Sequence, residues 1–152
     1  MESFQDFYAR EQPAVFRAAF LLAGDRALAE DATQEAFVRA LERWRRMRNE
    51  NWAGGWVMTT ALNVVRRSLR RRRVDPMSAS RQTYEQAQAD VDLWRAVRAL
   101  PKRQQEAVAL YYVGDMTVAD CAAAMGCDVG TVKTHLSRAR HELNQRLGGE
   151  RV

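Results

Sequence analysis

The stretch TVADCAAAMGCDVGTVKTHLSRARHELNQRL, residues 117–147, decides the fold of this chain. Thr117, followed three residues on by Asp120, has the form of a capping box that opens a short helix. Gly126 closes that helix, since glycine accepts the left-handed backbone that a helix end often requires. After the turn Gly126-Cys127-Asp128, Asp128 can cap a longer helix that reaches Leu147 and stops at Gly148-Gly149. Two helices joined by a three-residue turn are the arrangement of the DNA-reading helix-turn-helix. On the longer helix Val132, Leu136, Ala139 and Leu143 fall within about 60° of one another at 100° per residue, which predicts a buried stripe. The opposite side carries Thr134, Ser137, Arg138 and His141, flanked by Lys133 and Arg140. Short hydroxyl side chains and cations there suit base edges and phosphates respectively. Any amphipathic helix has a solvated polar face, and what favours the reading surface is the capped helix and glycine turn that precede it.

Outward from that motif the periodicity stays helical, with no alternating β-branched run, so an all-α fold is predicted. A first helix starts after Ser3, with Asp6 three residues on, and stops at Gly24; Pro13 predicts a kink or short break within it. A second helix is predicted over residues 25–47, turning Leu28, Ala32, Phe37 and Leu41 towards the core. Residues 48–55, with Asn49, Asn51, Gly54 and Gly55, read as a loop. A third helix from about Trp56 presents Val57, Leu62 and Val65 before it runs into arginines. Residues 74–89 hold Asp75-Pro76, serines, glutamines and alanines with no sustained apolar face, and read as a flexible linker. The chain thus divides into two small helical domains, 1–73 and 90–148, joined by that linker. The second opens with Val91, Trp94, Val97 and Leu100 at spacings of three and restarts at Pro101, a favoured first helical position, for a helix ending at Gly114-Asp115.

The chain has 152 residues and a net charge of +5, and is 47% hydrophobic, which suits a globular protein with a core. Its charge is uneven: residues 38–74 hold eleven basic and two acidic side chains, with Arg66, Arg67, Arg70, Arg71, Arg72 and Arg73 within eight positions. Such a field attracts a polyanion. Arginine bias explains the preference over lysine but not the clustering. The longest apolar stretch, residues 18–23, is far too short to span a bilayer, and Glu2 and Asp6 sit where an export signal needs positive charge. A cytoplasmic protein without membrane insertion is expected, and two cysteines agree with a reducing compartment. Cys121, Cys127, His135 and His141 lack metal-ligand spacing: five residues separate the cysteines, and the histidines lie about 240° apart around one helix. No nucleophile–base pair stands out either, so no metal, no cofactor and no catalysis are expected.

Four segments, spread along the chain, resemble one family. CDVGTVKTHLSRAR at 127–140 is similar to the promoter-reading helix of the extracytoplasmic-function (ECF) sigma factors of bacterial RNA polymerase, and LPKRQQ at 100–105 resembles the opening of the same domain. AEDATQEAF at 29–37 is similar to the family's polymerase-clamp motif, and WVMTTALN at 56–63 resembles the start of its minus-ten-reading helix. The loop NENWAGG at 49–55 departs from the common form of the family's base-capturing loop.

The resemblance implies a sigma region 2-like domain and a sigma region 4-like domain. It implies that Asp31, Gln34 and Glu35 bind the clamp coiled coil of the largest subunit of core RNA polymerase, while the second domain meets the flap. Trp56, Asn63, Arg66, Arg67, Arg70 and Arg71 would engage the minus-ten element of promoter DNA. Thr131, Lys133, Thr134, Ser137, Arg138 and Arg140 would engage the minus-thirty-five element. An anti-sigma factor would regulate the chain. Physically, Trp44, Trp52 and Trp56 are candidates for stacking on extruded bases, or for core packing. Phe37 reads as core. Two other functions remain open to the sequence: an autonomous dimeric repressor, for which no heptad seam is present, and an adaptor in which the basic stretch is incidental.

Overall fold

In the computed structural model, residues 1–74 and 88–148 are described, and every regular element among them is helical. The expected linker, 74–89, falls almost wholly outside the described residues. The first unit comprises α1 (Phe4–Ala23), α2 (Arg26–Glu42), the single turn α3 (Trp44–Met47) and α4 (Ala53–Val74). The second comprises α5 (Gln88–Arg98), α6 (Lys102–Val108) with a π turn at its end (Ala109–Val113), α7 (Val118–Met125) and α8 (Val129–Arg146).

Local chemistry places the helix starts. The Ser3 hydroxyl accepts from the Asp6 amide at 3.1 Å and the Asp25 carboxylate from the Leu28 amide at 3.2 Å. In the second unit Thr117 accepts from Asp120 at 3.0 Å and Asp128 from Thr131 at 2.7 Å. These four caps satisfy amide donors that a helix start leaves open. The glycine turn also forms as expected, with Gly126 at φ +70° and its amide bonded to the Ala122 carbonyl. Val132, Leu136, Ala139 and Leu143 are all buried.

Four local expectations need correction. Helix α1 runs through Pro13 without a break; Pro13 lies on the exposed face, where the carbonyl it leaves unpaired meets solvent instead of core. The helix predicted over 25–47 divides at Arg43 (φ −109°, ψ 14°), which lets Trp44 turn inward against Phe7 and Phe4, with ring centroids 5.0 and 5.4 Å away. Leu41 is 55% exposed and not in the core, because the alanine-rich buried stripe of α2, Ala29, Ala32, Ala36 and Ala40, leaves it on the far side. Gly54 and Gly55 belong to the first turn of α4 and not to a loop. They are explained by neighbours: a Cβ on Gly54 would lie 2.8 Å from Glu11 Oε1, and one on Gly55 would lie 2.3 Å from the Ala124 Cβ.

That last contact joins the two units, which pack face to face. One hydrophobic cluster runs from Phe7, Leu22, Phe37, Met58 and Leu62 of the first unit into Leu110, Cys121, Met125, Val132 and Leu136 of the second. Trp94 of α5 lies over Gly24, whose φ of +67° ends α1 and whose missing side chain leaves the indole room; a Cβ there would come within 2.5 Å of the ring. The Arg98 guanidinium stacks on Trp94, 4.2 Å from a ring centroid, and donates to the Leu22 and Ala23 carbonyls. A cation thus sits at the negative end of the α1 dipole.

Candidate nucleic-acid interface

Helix α8 presents the faces that its periodicity predicts. Lys133, Thr134, Ser137 and Arg138 are exposed on α8, opposite its buried stripe. Thr131 is half-buried in the first turn; its amide hydrogen bond to the Asp128 carboxylate holds that acid below the usual carboxylate range. Arg140 is also half-buried and donates to the Tyr112 hydroxyl at 3.0 Å. Beside Ser137 and Arg138 runs an open groove of about 650 Å³ whose other wall includes Pro101 and Gln104 of the α6 start.

The arginine run does not form one free cationic face. Arg66 is nearly covered, with 12% of its side chain exposed, and donates to Asn63 Oδ1 at 2.7 Å, Gln105 Oε1 at 2.9 Å and the Lys102 carbonyl at 3.3 Å. Glu106 Oε2 lies 3.5 Å away. Burial lowers the Arg66 pKa from its ordinary value, and the Glu106 carboxylate opposes that effect. Arg67 reaches Glu35 at 3.1 Å, and Arg72 reaches Asp25 at 3.1 Å. Arg70 and Arg71 are exposed, Arg71 bonding Ser68. Of the tryptophans, Trp44 is half-buried and packs on Phe4 and Phe7 at the edge of the core. Trp52 and Trp56 are half-buried against the same cluster, with Arg43 stacked 5.4 Å from the Trp56 ring centroid.

On α2, Asp31 and Gln34 are exposed and Glu35 is half-exposed, paired with Arg39 and Arg67. Sequence reasoning missed their apolar neighbours. Val38 and Leu41, each 55% exposed, continue the strip begun by Asp31 and Gln34; at 100° per residue the four lie within about 80°. The spacing 31, 34, 38, 41 could have revealed it, had Leu41 not been assigned to the core.

Among the described residues no three His, Cys, Asp or Glu side chains converge as a metal site would. Cys121 is buried and its thiol is pushed up to about 11 by that burial, the thiol of a packed side chain.

This geometry agrees with the comparisons to known proteins. Residues 7–74 match Sigma-70 region 2 and residues 90–143 match Sigma-70 region 4. The chain is 29% identical over 155 residues to the ECF RNA polymerase sigma factor EcfG of Rhodopseudomonas palustris, covering 96% of this chain and 86% of that one. It is 30% identical over 125 residues to the Probable RNA polymerase sigma-C factor of Mycobacterium bovis, covering 76% of this chain and 68% of the relative. The chain belongs to the ECF sigma factors of the sigma-70 family. Not every relative is matched over its full length, since this sigma factor spans 62% of SigE from Mycolicibacterium smegmatis. Its fold resembles that of the sigma factor RpoE of Bartonella quintana, solved in complex with the anti-sigma factor NepR, at a TM-score of 0.71 and 26% identity over 97% of this chain and 98% of that one. In this sigma factor the region 2 match contains all but the first three residues of α1 and the whole of α2, α3 and α4, and the region 4 match ends within α8.

Proposed function

We propose that this chain directs core RNA polymerase to specific promoters, with three surfaces dividing the work. The strip Asp31, Gln34, Glu35, Val38 and Leu41 docks on the polymerase. The α4 face with Trp56, Asn63 and Arg66, continued by Arg67, Arg70 and Arg71, engages the minus-ten element. On α8, Thr134, Ser137 and Arg138 read base edges of the minus-thirty-five element while Lys133, Arg140 and Thr131 secure the backbone. One observation carries this reading: α8 exposes its hydroxyl and cationic residues and buries its apolar stripe, behind a capped α7 and a tight glycine turn.

RNA synthesis belongs to the polymerase, and this chain contributes no catalytic group. An anti-sigma factor is the expected regulator, on the strength of the complex in which the similar RpoE was solved. Among the described residues no helix is long and apolar enough to cross a membrane. The cytoplasm, where polymerase works, is the proposed location. Run-off transcription by core polymerase on a promoter library tests the whole reading. Selective initiation that depends on this chain supports it; transcription identical with and without the chain rejects it.

A further inference from the structure

Arg10 of α1 stands between two carboxylates that reach opposite ends of the segment joining α3 to α4. On one side it pairs with the Glu2 carboxylate, and on the other its Nε donates to Glu11 Oε2 at 3.0 Å. Glu2 in turn holds the start of the segment. Arg48 Nε donates to the Glu2 carbonyl at 3.2 Å and Arg48 Nη1 to Met1 Sδ at 3.3 Å, while the Glu2 amide donates to Asn49 Oδ1 at 3.4 Å. Glu11 holds the end, at Gly54, where an added Cβ would come within 2.8 Å of Glu11 Oε1. Neither carboxylate lies open to water, the Glu2 side chain being 23% exposed and that of Glu11 19%. Burial raises the Glu11 pKa from its ordinary value and the Arg10 guanidinium opposes that effect, as a cation beside a half-buried carboxylate does.

Between the two tied ends the segment is polar. Asn49 has φ +65°, a left-handed conformation that asparagine tolerates better than most residues. Asn49, Glu50 and Asn51 are exposed, and the Trp52 carbonyl then accepts the Trp56 amide at 2.9 Å. The Asn51 amide carries both a donor and an acceptor, which is the pair that a base edge asks for. A short loop fixed at both ends has little freedom left to lose on binding, and so can be selective. We propose that Glu2, Arg10 and Glu11 are positioning residues, which hold segment 48–54 in one conformation with the Asn51 amide presented to the edge of an extruded minus-ten base. That ligand rests on the assignment of α4 and the segment before it to the minus-ten element; the brace does not. The three residues touch no DNA and act through the loop.

Arg10→Ala and Gly54→Ala break the relay at different places, the first by removing its centre and the second by displacing the end of the Glu11 side chain. Alanine suits a helix at both positions, so circular dichroism and the melting temperature should stay close to the wild type. Arg10→Lys, which keeps a cation between the carboxylates, is the conservative control. A glutamate-specific protease reads the loop without DNA. Cleavage after Glu50, located by mass spectrometry, should be about tenfold faster in both alanine variants if the relay suppresses the loosened form by that factor, and Arg10→Lys should restore most of the protection. Run-off transcription by core polymerase on a minus-ten library reads the role. Both alanine variants should lose about tenfold of the preference at one minus-ten position and keep the minus-thirty-five preference, with recovery in Arg10→Lys. Asn51→Ala should lose the same preference without faster cleavage. A purely structural part would weaken both promoter elements alike. Unchanged cleavage at Glu50 overturns the brace, and faster cleavage with every minus-ten preference unchanged overturns the positioning. If no protein directs selective initiation while the cleavage difference persists, the promoter reading fails and the brace stands.

Discussion

Single side chains separate surface duties from structural ones. Glu35 pairs with Arg39 and Arg67 at 41% exposure, and exposed pairs of this kind contribute less than about 1 kcal/mol. Glu35→Lys should therefore melt within a few degrees of the wild type and yet fail to copurify with core polymerase. Leu41→Ser, at a site 55% exposed, should behave the same way, and retention of polymerase by both variants would remove the α2 strip from the docking surface. The cysteines make a second pair. Burial raises Cys121 to about 11, so at pH 8 it is a protonated, unreactive thiol, whereas Cys127 is half-buried. Mass spectrometry after brief alkylation at that pH should find the label on Cys127, with Cys121 labelled only as the pH approaches its pKa or the chain unfolds.

Helices show which signals are legible in a sequence. The caps at Ser3, Thr117 and Asp128 were legible because cap and recipient lie three residues apart and need nothing from the rest of the chain. The buried stripe of α8 was legible for the same reason, since one period fixes it. Leu41, Gly55 and Arg66 were not. Leu41 looks apolar enough for a core, but its placement depends on which face of α2 the alanines claim. Gly55 resembles a loop residue until Ala124, 69 positions later, is brought against it. Arg66 belongs to a run that reads as one cationic face, and only partners 36 to 40 positions away tie it down. On α8 the roles should divide by contact type. Arg138→Ala should cost about 1–3 kcal/mol at one promoter position and relax specificity there, while Lys133→Ala should weaken all sequences evenly and lower the salt slope by about 1. Binding titrations over a range of salt on single-base promoter variants distinguish the two.

Across the whole molecule, the largest hydrophobic cluster spans both units, and a smaller one of Ala96, Val97, Leu100, Val108, Ala139 and Leu143 lies within the second, with Leu21 of α1 packed against it. Thermal unfolding of the wild type should consequently show a single calorimetric transition, with the van't Hoff and calorimetric enthalpies in agreement. Two resolved transitions would mean that the packing between the units adds little to either. This coupling also ties together surfaces assigned to different partners, since Gly55 and Ala124 lie on none of the proposed binding surfaces and yet help to hold the two units against each other.

The carboxylate of Asp25 ends up with two unrelated employers. One oxygen opens α2 by taking the Leu28 amide, and the other holds Arg72 near the far end of α4, 47 positions away. An amide could perform the first task but carries no charge for the second. Asp25→Asn should therefore keep the helix start and loosen the tail of α4, while Asp25→Ala should also lose about 1 kcal/mol or more of capping. The beginning of one helix and the exit of another are wired through the same fuse, and a one-atom exchange blows only half of it.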